Sequence, residues 1–389
     1  MASKLNQHFV PQYLFRQFSG GERYVHLINK CSSNVIFGAS VRGQCARRKY
    51  YGEAVVEDFL ALLDGRHALA YRAAIREAWS GSATVFSDDE LYWLLEGVML
   101  QRARVPRAAE NLADGSDKTA LYAFREFVKA SPDDGMRDRI VAAIDRGEVK
   151  LKDHHLESLM HSLKLALESV MAITDLNIVV LRNHTQFPFV FGDSPCVFYN
   201  RYFYHIKTRG VLGYLTPGLM ILLPLDRRTQ VLLLDPATYG IRGGATFVDV
   251  IEKSDTSQLN ALQLYSAKHN VYFACRNDAD YLVELVECHR PNFKVSHSEF
   301  HVWPPGTILI DGQPNKNEVM HTFESQLPIR LDLSFVETKR APEDDGPHRA
   351  RSSDIRKELR EIREEDSRGV SIQQLVDDIR PDLDGLPRP

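Results

Sequence analysis

A chain of 389 residues, 44% apolar and 26% charged, is long enough for one large core or two domains and has the balance of an ordinary globular protein. Its formal net charge of −4 excludes a chain that is basic all over but leaves room for a local basic patch. No apolar h-region follows Met1-Ala2-Ser3-Lys4, no run reaches the roughly 18 residues of a spanning helix, and the five scattered cysteines form no C-x-x-C pair, so the expectation is a cytoplasmic protein with reduced thiols, no membrane attachment and no zinc site of the usual spacing.

The stretch from Asn6 to Phe18 sets His, Gln and Arg among large apolar residues, where a buried polar group must be satisfied or useful. Residues 23–30 read as a short strand between Gly20-Gly21 and a polar turn. From Val55 the period becomes helical: Val55, Val56, Phe59, Leu60 and Leu63 form a stripe, and a second helix is expected after Gly65, running to Trp79. Ser87-Asp88-Asp89-Glu90 has the spacing of a capping box; the helix it opens carries Leu91, Leu94, Leu95, Val98 and Met99 and ends before Pro106. Further helices are expected near 117–130, 135–146 and 153–172.

The texture then changes to short apolar runs bounded by turn residues, Leu176–Leu181, Phe187–Phe191, Leu219–Leu223 and Gln230–Leu234. A helix over Leu259–His269 capped by Ser254 or Asp255, a strand Val271–Cys275, a helix Ala279–Val286 and strands within 293–303, 307–311 and 328–337 follow. From Glu343 the chain is hydrophilic and poor in aromatics, with a charged helical pattern over 354–365 and an amphipathic one over 370–379. The expected fold is α+β: a mainly helical region 1–175 packed on a mixed or antiparallel sheet from 176–340 as one unit, then a charged tail, 341–389, that is either unstructured or docks a partner or second subunit through residues 352–380.

The opening H-x-V-P-Q-x-x-L-x-x-F pattern, carried by His8, Val10, Pro11, Gln12 and Phe18 with Leu14 one step out of place, resembles a bacterial family known as domain of unknown function 4238. The resemblance continues at Cys45 to Tyr51, at Arg102 to Pro106, at Phe189 to Pro195, at Leu223-Pro224-Leu225 and from Leu259-Asn260 to Ala267, about residues 6–275 in all. The family implies no activity that can be carried over.

His8 and Asp193 are the leading candidates for a reacting site. Histidine exchanges a proton near neutral pH, and a carboxylate at a strand end suits proton transfer or metal binding, although Asp193 is equally suited to cap its own Ser-Pro turn. Asn260 and Gln263, one helical turn apart, are suited either to face the same cavity or to form a hydrogen-bonding pair on the helix face, and Gln12 beside His8 is a substrate-binding candidate. Arg47 and Arg48, with Arg42, Lys49, Tyr50 and Tyr51 nearby, interleave cations with rings as single-stranded nucleic acid requires; Arg104 is a further phosphate ligand. Weaker signals are His297-x-Glu299-x-His301, a possible metal set, and Glu337-Thr338-Lys339, which resembles a nuclease strand end needing Asp311 or Asp332 as partner.

No phosphate loop, dinucleotide fingerprint, G-x-S-x-G elbow or H-E-x-x-H is present. The expected function is a nuclease-like effector of phage-defence or toxin type acting on RNA or DNA, with a divalent metal as the possible cofactor. The competing expectation is a non-enzymatic sensor or adaptor that holds a protein partner through its tail and a sheet edge.

Overall fold

The computed structural model describes residues 6–52, 54–81, 86–130, 134–152, 154–293, 298–310, 313–339, 350–351 and 357. The first fifty residues alternate short elements: β1 (Asn6–His8), α1 (Gln12–Phe18), β2 (Tyr24–Asn29), β3 (Val35–Ser40) and β4 (Ala46–Arg48). Pro11, extended at φ −67° and ψ 146°, stands directly before α1, where its missing N–H costs nothing. Helices α2 (Ala54–Ser80), α3 (Asp88–Ala103), α4 (Pro106–Lys129), α5 (Asp134–Asp145) and α6 (His155–Glu168) follow.

Ser87 caps α3 as its sequence demands: its hydroxyl accepts from Glu90 N–H at 3.3 Å while the Glu90 carboxylate accepts from Ser87 N–H at 3.1 Å. The break expected at Gly65 does not occur, because α2 runs through it as one 27-residue helix. The burial of Val56, Phe59, Leu60, Leu63, Tyr71 and Ala74 along its length outweighs the ~1 kcal/mol that an interior glycine costs. Helix α4 likewise starts eleven residues before the expected 117, with Pro106 in its first turn.

The second half contributes β5 (Asn177–Asn183), β6 (Phe191–Gly192), β7 (Val197–Tyr199), β8 (Met220–Pro224), β9 (Thr229–Leu234), β10 (Tyr239–Ile241), β11 (Phe247–Val250), α7 (Lys253–Ser266), β12 (Asn270–Phe273) and α8 (Ala279–His289). Strands β13 (Ser298–Trp303), β14 (Leu309–Ile310), β15 (Gln313–Pro314), β16 (Val319–Glu324) and β17 (Val336–Thr338) complete it. One sheet has the order β11-β5-β9-β8-β7; β11 runs parallel to β5 and the other neighbours are antiparallel. Strands β8 and β9 are buried along their whole length, which is why they read as continuous apolar runs rather than alternating ones. The second sheet, β3-β2-β12-β6, is antiparallel and joins a strand from the start of the chain to one some 240 residues later. The fold is therefore α+β with mixed and antiparallel sheets.

Several expected elements shift. Helix α7 begins at Lys253, with neither Ser254 nor Asp255 as cap; Asp255 is buried and accepts from Ser334 N–H and Oγ instead. Of 328–337 only β17 is strand. The tail helices at 354–365 and 370–379 lie outside the described residues apart from Lys357, as does most of 352–380.

The apolar residues of the opening motif are core. Phe9, Val10, Leu14, Phe15 and Phe18 are buried, and Phe15 meets Phe191 and Tyr272 edge-on at 5.0 and 4.8 Å between ring centres. Helix α7 closes the outer side of β6 with side chains rather than backbone. Asn260 Oδ1 accepts from Val190 N–H at 3.1 Å, Gln263 Oε1 from Gly192 N–H at 3.0 Å, and Ser266 Oγ donates to Ser194 O at 2.7 Å. Such close approach needs a glycine: a Cβ on Gly192 would stand 2.8 Å from Ala267 Cβ and 3.0 Å from the Gln263 carbonyl. Gly192→Ala is expected to destabilise the fold by about 1–3 kcal/mol in urea unfolding, with Gly192→Ala/Ala267→Gly recovering part of the loss. Equal losses in the single and double variants would show that this contact is not the cause.

Candidate functional site

The N-terminal segment is held by polar groups reaching it from three directions. Strand β1 pairs with β4 in antiparallel register, His8 opposite Ala46 and Gln7 opposite Arg47. The period of two sends Gln7 inward, where its Oε1 accepts from Tyr51 N–H at 2.6 Å, and turns Asn6 and His8 the other way. Asn6 Nδ2 and His8 Nε2 both lie 3.1 Å from the Arg42 carbonyl. A carbonyl only accepts, so Nε2 carries the imidazole proton and Nδ1 is left as the basic nitrogen. Gln12 Nε2 stands 3.4 Å from the same Nε2 but, as a donor facing a protonated nitrogen, makes no hydrogen bond to it, while Arg16 Nη2 donates to Gln12 Oε1 at 3.3 Å.

Behind His8 sits Arg104, at the C-terminus of α3. Its side chain is 3% exposed and its donors are spent: Nη1 and Nη2 reach Asp64 of α2 at 2.6 and 3.3 Å, Nε reaches Tyr51 Oη at 3.1 Å, and Nη2 also reaches the His8 carbonyl at 3.0 Å. Tyr51 Oη donates to that carbonyl as well, at 3.0 Å, and Gln101 Nε2 holds the carbonyl of Phe9 at 3.2 Å. Arg104 is thus an internal tie and not the surface phosphate ligand expected. Losing one side of such a buried pair typically costs about 3–5 kcal/mol. Burial lowers the His8 pKa; the Arg42 carbonyl opposes this, Arg104 lowers it further and Asp64 raises it. The imidazole is accordingly neutral at pH 7.

Asp193 does not join this network. Its carboxylate accepts three backbone N–H groups, Lys268 at 2.6 Å, His269 at 2.9 Å and Asn270 at 3.2 Å, which fastens the turn from α7 into β12. Lys30, also buried, donates to the Leu264 and Ala267 carbonyls at the end of the same helix. Asn260 adds Nδ2 bonds to Pro188 O at 2.8 Å and Tyr281 Oη at 3.0 Å, and Gln263 Nε2 reaches Pro195 O at 3.0 Å. All three expected partners of His8 are therefore occupied with backbone. Among the described residues, no contact joins His8 to Asp193, Asn260 or Gln263. The acid nearest its chemistry is Asp64, whose sequence signal was a charge at the core-facing position one turn after Leu60.

Arg47 and Arg48 are exposed on β4 together with Arg42 and Lys49, so the basic patch is real and borders His8. The Arg47 guanidinium lies 5.8 Å from the Phe9 ring centre and 5.9 Å from that of Tyr50. Cys45 and Lys49, which flank β4, both adopt left-handed backbone, at φ 48° and 51°. Non-glycine residues there are strained by roughly 1–2 kcal/mol each, and strain of this sort collects at working sites.

With this geometry in view, the family model described as protein of unknown function, DUF4238, matches residues 6–277. The chain belongs to that family. The DUF4238 match runs from β1 past β12, so it takes in His8, Arg104, Asp193, Asn260 and both sheets. No curated protein and no solved structure matches the chain.

The weaker signals have other employment. His297 and Asp311 lie outside the described residues; Glu299 accepts from Ser325 Oγ at 3.1 Å and His301 stacks on Phe323 at 5.4 Å. Among the described residues, no three His, Cys, Asp or Glu side chains gather as a metal site requires. Lys339 Nζ donates to Pro236 O at 3.1 Å and Asp332 pairs with Arg201 at 2.8 Å, so of the E-x-K set the lysine and the one described acid are both engaged elsewhere. Among the described residues no helix is long and apolar enough to cross a membrane.

Burial lowers the pKa of His8, His26 and His289 below the ordinary 6.5, His8 with the help of Arg104. The unfolded imidazoles then hold more protons than the folded ones, so stability rises with pH in this window and is lost as pH falls below about 6.5. Urea midpoints at pH 7.5 and 5.5 should show this fall, and His8→Gln should make it shallower. An unchanged slope would mean His8 is not held neutral.

Proposed function

We propose that the protein binds single-stranded RNA or DNA along the β1–β4 edge in the cytoplasm and cleaves it with His8 as the proton-transfer group. What supports the reading is one juxtaposition: a neutral imidazole, held through Nε2 and with no partner at Nδ1 among the described residues, stands on the same two-stranded ribbon as exposed Arg47 and Arg48, with Arg42 and Lys49 on either side of β4. In this scheme the guanidiniums meet phosphates, the ring of Tyr50 backs Arg47, and Nδ1 takes a proton from a water whose oxygen bonds to phosphorus, then passes it to the alkoxide released as the P–O bond to the next nucleoside breaks. Asp193 and Asn260 have no step in it. The phage-defence or toxin setting is part of the same proposal and rests on no residue.

Labelled single-stranded oligonucleotides test the reading directly. Arg47→Glu/Arg48→Glu should weaken binding and flatten its salt dependence by roughly 0.7 in the log–log slope for each phosphate no longer neutralised. His8→Ala should keep binding and lose cleavage. Wild-type protein that fails to hold RNA or DNA at low salt would end the proposal.

A second reading, a sensor or adaptor that holds a protein partner, is favoured by β3. It is an edge strand of the four-stranded sheet and exposes Ile36 (51%) and Phe37 (39%). An open apolar edge is a template for strand addition. Ile36→Lys should leave nucleic-acid binding unchanged while removing any co-purifying partner; a partner that persists would exclude this edge.

A further inference from the structure

A cleft of about 660 Å³, lined by none of the residues of the β1–β4 edge, opens between the end of α1, the end of α2, the β8–β9 turn, the end of β5 and the residues just after β12. Its lining includes Trp79, His184, Asp226, Arg227, Arg228 and Cys275. That volume falls within the usual range for small-ligand sites, roughly 300–1,000 Å³.

The turn is built to lift one cation over the opening. Asp226 Oδ1 accepts from Arg228 N–H at 2.7 Å and Thr229 N–H at 2.6 Å, which closes the turn and leaves Arg227 at its exposed apex. Arg228 is spent on the wall, donating Nη1 to the Asn183 and Thr185 carbonyls. Arg227 gives one bond to the Cys275 sulfur, Nη1 to Sγ at 2.8 Å, and among the described residues no carboxylate pairs with it. Burial raises the pKa of both nearby acids, Asp226 and Asp278, and the Arg227 charge beside them opposes that rise.

The other wall is aromatic. Trp79 is 45% exposed, and its Nε1–H is tied to Thr229 Oγ1 at 3.0 Å, so the indole is fixed while much of its surface remains open. His184 lies against it at 5.2 Å, with Nε2 on Asp249 Oδ1 at 2.9 Å, and Arg182 Nε holds the same oxygen at 2.6 Å. A guanidinium with unused N–H groups next to a half-open, immobilised indole matches a ligand with an anionic group and a planar ring.

We propose that this cleft binds a mononucleotide, with its phosphate on Arg227 and its base against Trp79. The site is separate from the basic edge, and it stands whether or not that edge holds nucleic acid.

Calorimetric titration with adenosine and guanosine monophosphates, ribose 5-phosphate and inorganic phosphate tests it. A nucleoside monophosphate should bind, Arg227→Ala should weaken it at least about ten-fold, and Trp79→Leu should weaken the nucleotide without changing the phosphate. Urea midpoints of both variants check that they fold. Bound nucleotide should also slow iodoacetamide labelling of Cys275 by peptide mass mapping and leave the exposed Cys31 and Cys288 unaffected. The proposal is overturned if neither nucleotide binds, if phosphate alone binds as tightly, or if the nucleotide is lost with Arg47→Glu/Arg48→Glu and kept in Arg227→Ala.

Discussion

The buried guanidinium of Arg104 is the constraint around which the N-terminal part of the molecule is arranged. It belongs to α3, neutralises an acid on α2, holds the phenol of Tyr51 and grips the main chain at His8. A charge taken out of water is tolerable only when it is paired and hydrogen-bonded, and here all three guanidinium nitrogens reach an acceptor. One side chain thereby fixes the distance between two helices and the path of a three-residue strand too short to be stable by itself. The positions of His8 and of the basic edge follow from that single satisfied cation.

Much of the fold was legible from local chemistry. Ser87 and Glu90 announced α3, and the continuous apolar runs announced β8 and β9. Signals failed where tertiary contact overrode propensity. Gly65 looks like a break but is spanned because α2 is buried on both sides of it. Strands β1, β4 and β6 have two or three residues each, and such pieces exist only because a neighbour pairs with them.

The site was legible by residue type and not by partnership. The sequence singled out polar residues within apolar runs, and every one of them turns out to be used. Asn260 and Gln263 spend their hydrogen bonds on the main chain of β6 and its flanks, and Asp193 on the amides of the turn from α7 into β12, roles no periodicity distinguishes from chemistry. Arg104 carries the same ambiguity, since a guanidinium at a helix end suits a phosphate or an internal carboxylate equally well. Asp64 and Arg227 stood in no motif. Their importance lies in what the fold brings to them: a buried arginine in one case, and an indole and an open cleft in the other.

The antiparallel pairing of β2 with β12 bears on how the chain is made. Asn29 and Asn270 meet across 241 positions, so the second sheet cannot close until the ribosome has delivered the whole intervening stretch. At 5–20 residues per second that is a wait of roughly 10–50 s. During that interval Val25, Leu27 and Ile28, all buried in the finished molecule, have no β12 to lie against. The nascent chain therefore carries near its beginning an apolar ribbon paired on one edge only, with β3, and any cut between β2 and β12 separates halves that only together make that sheet.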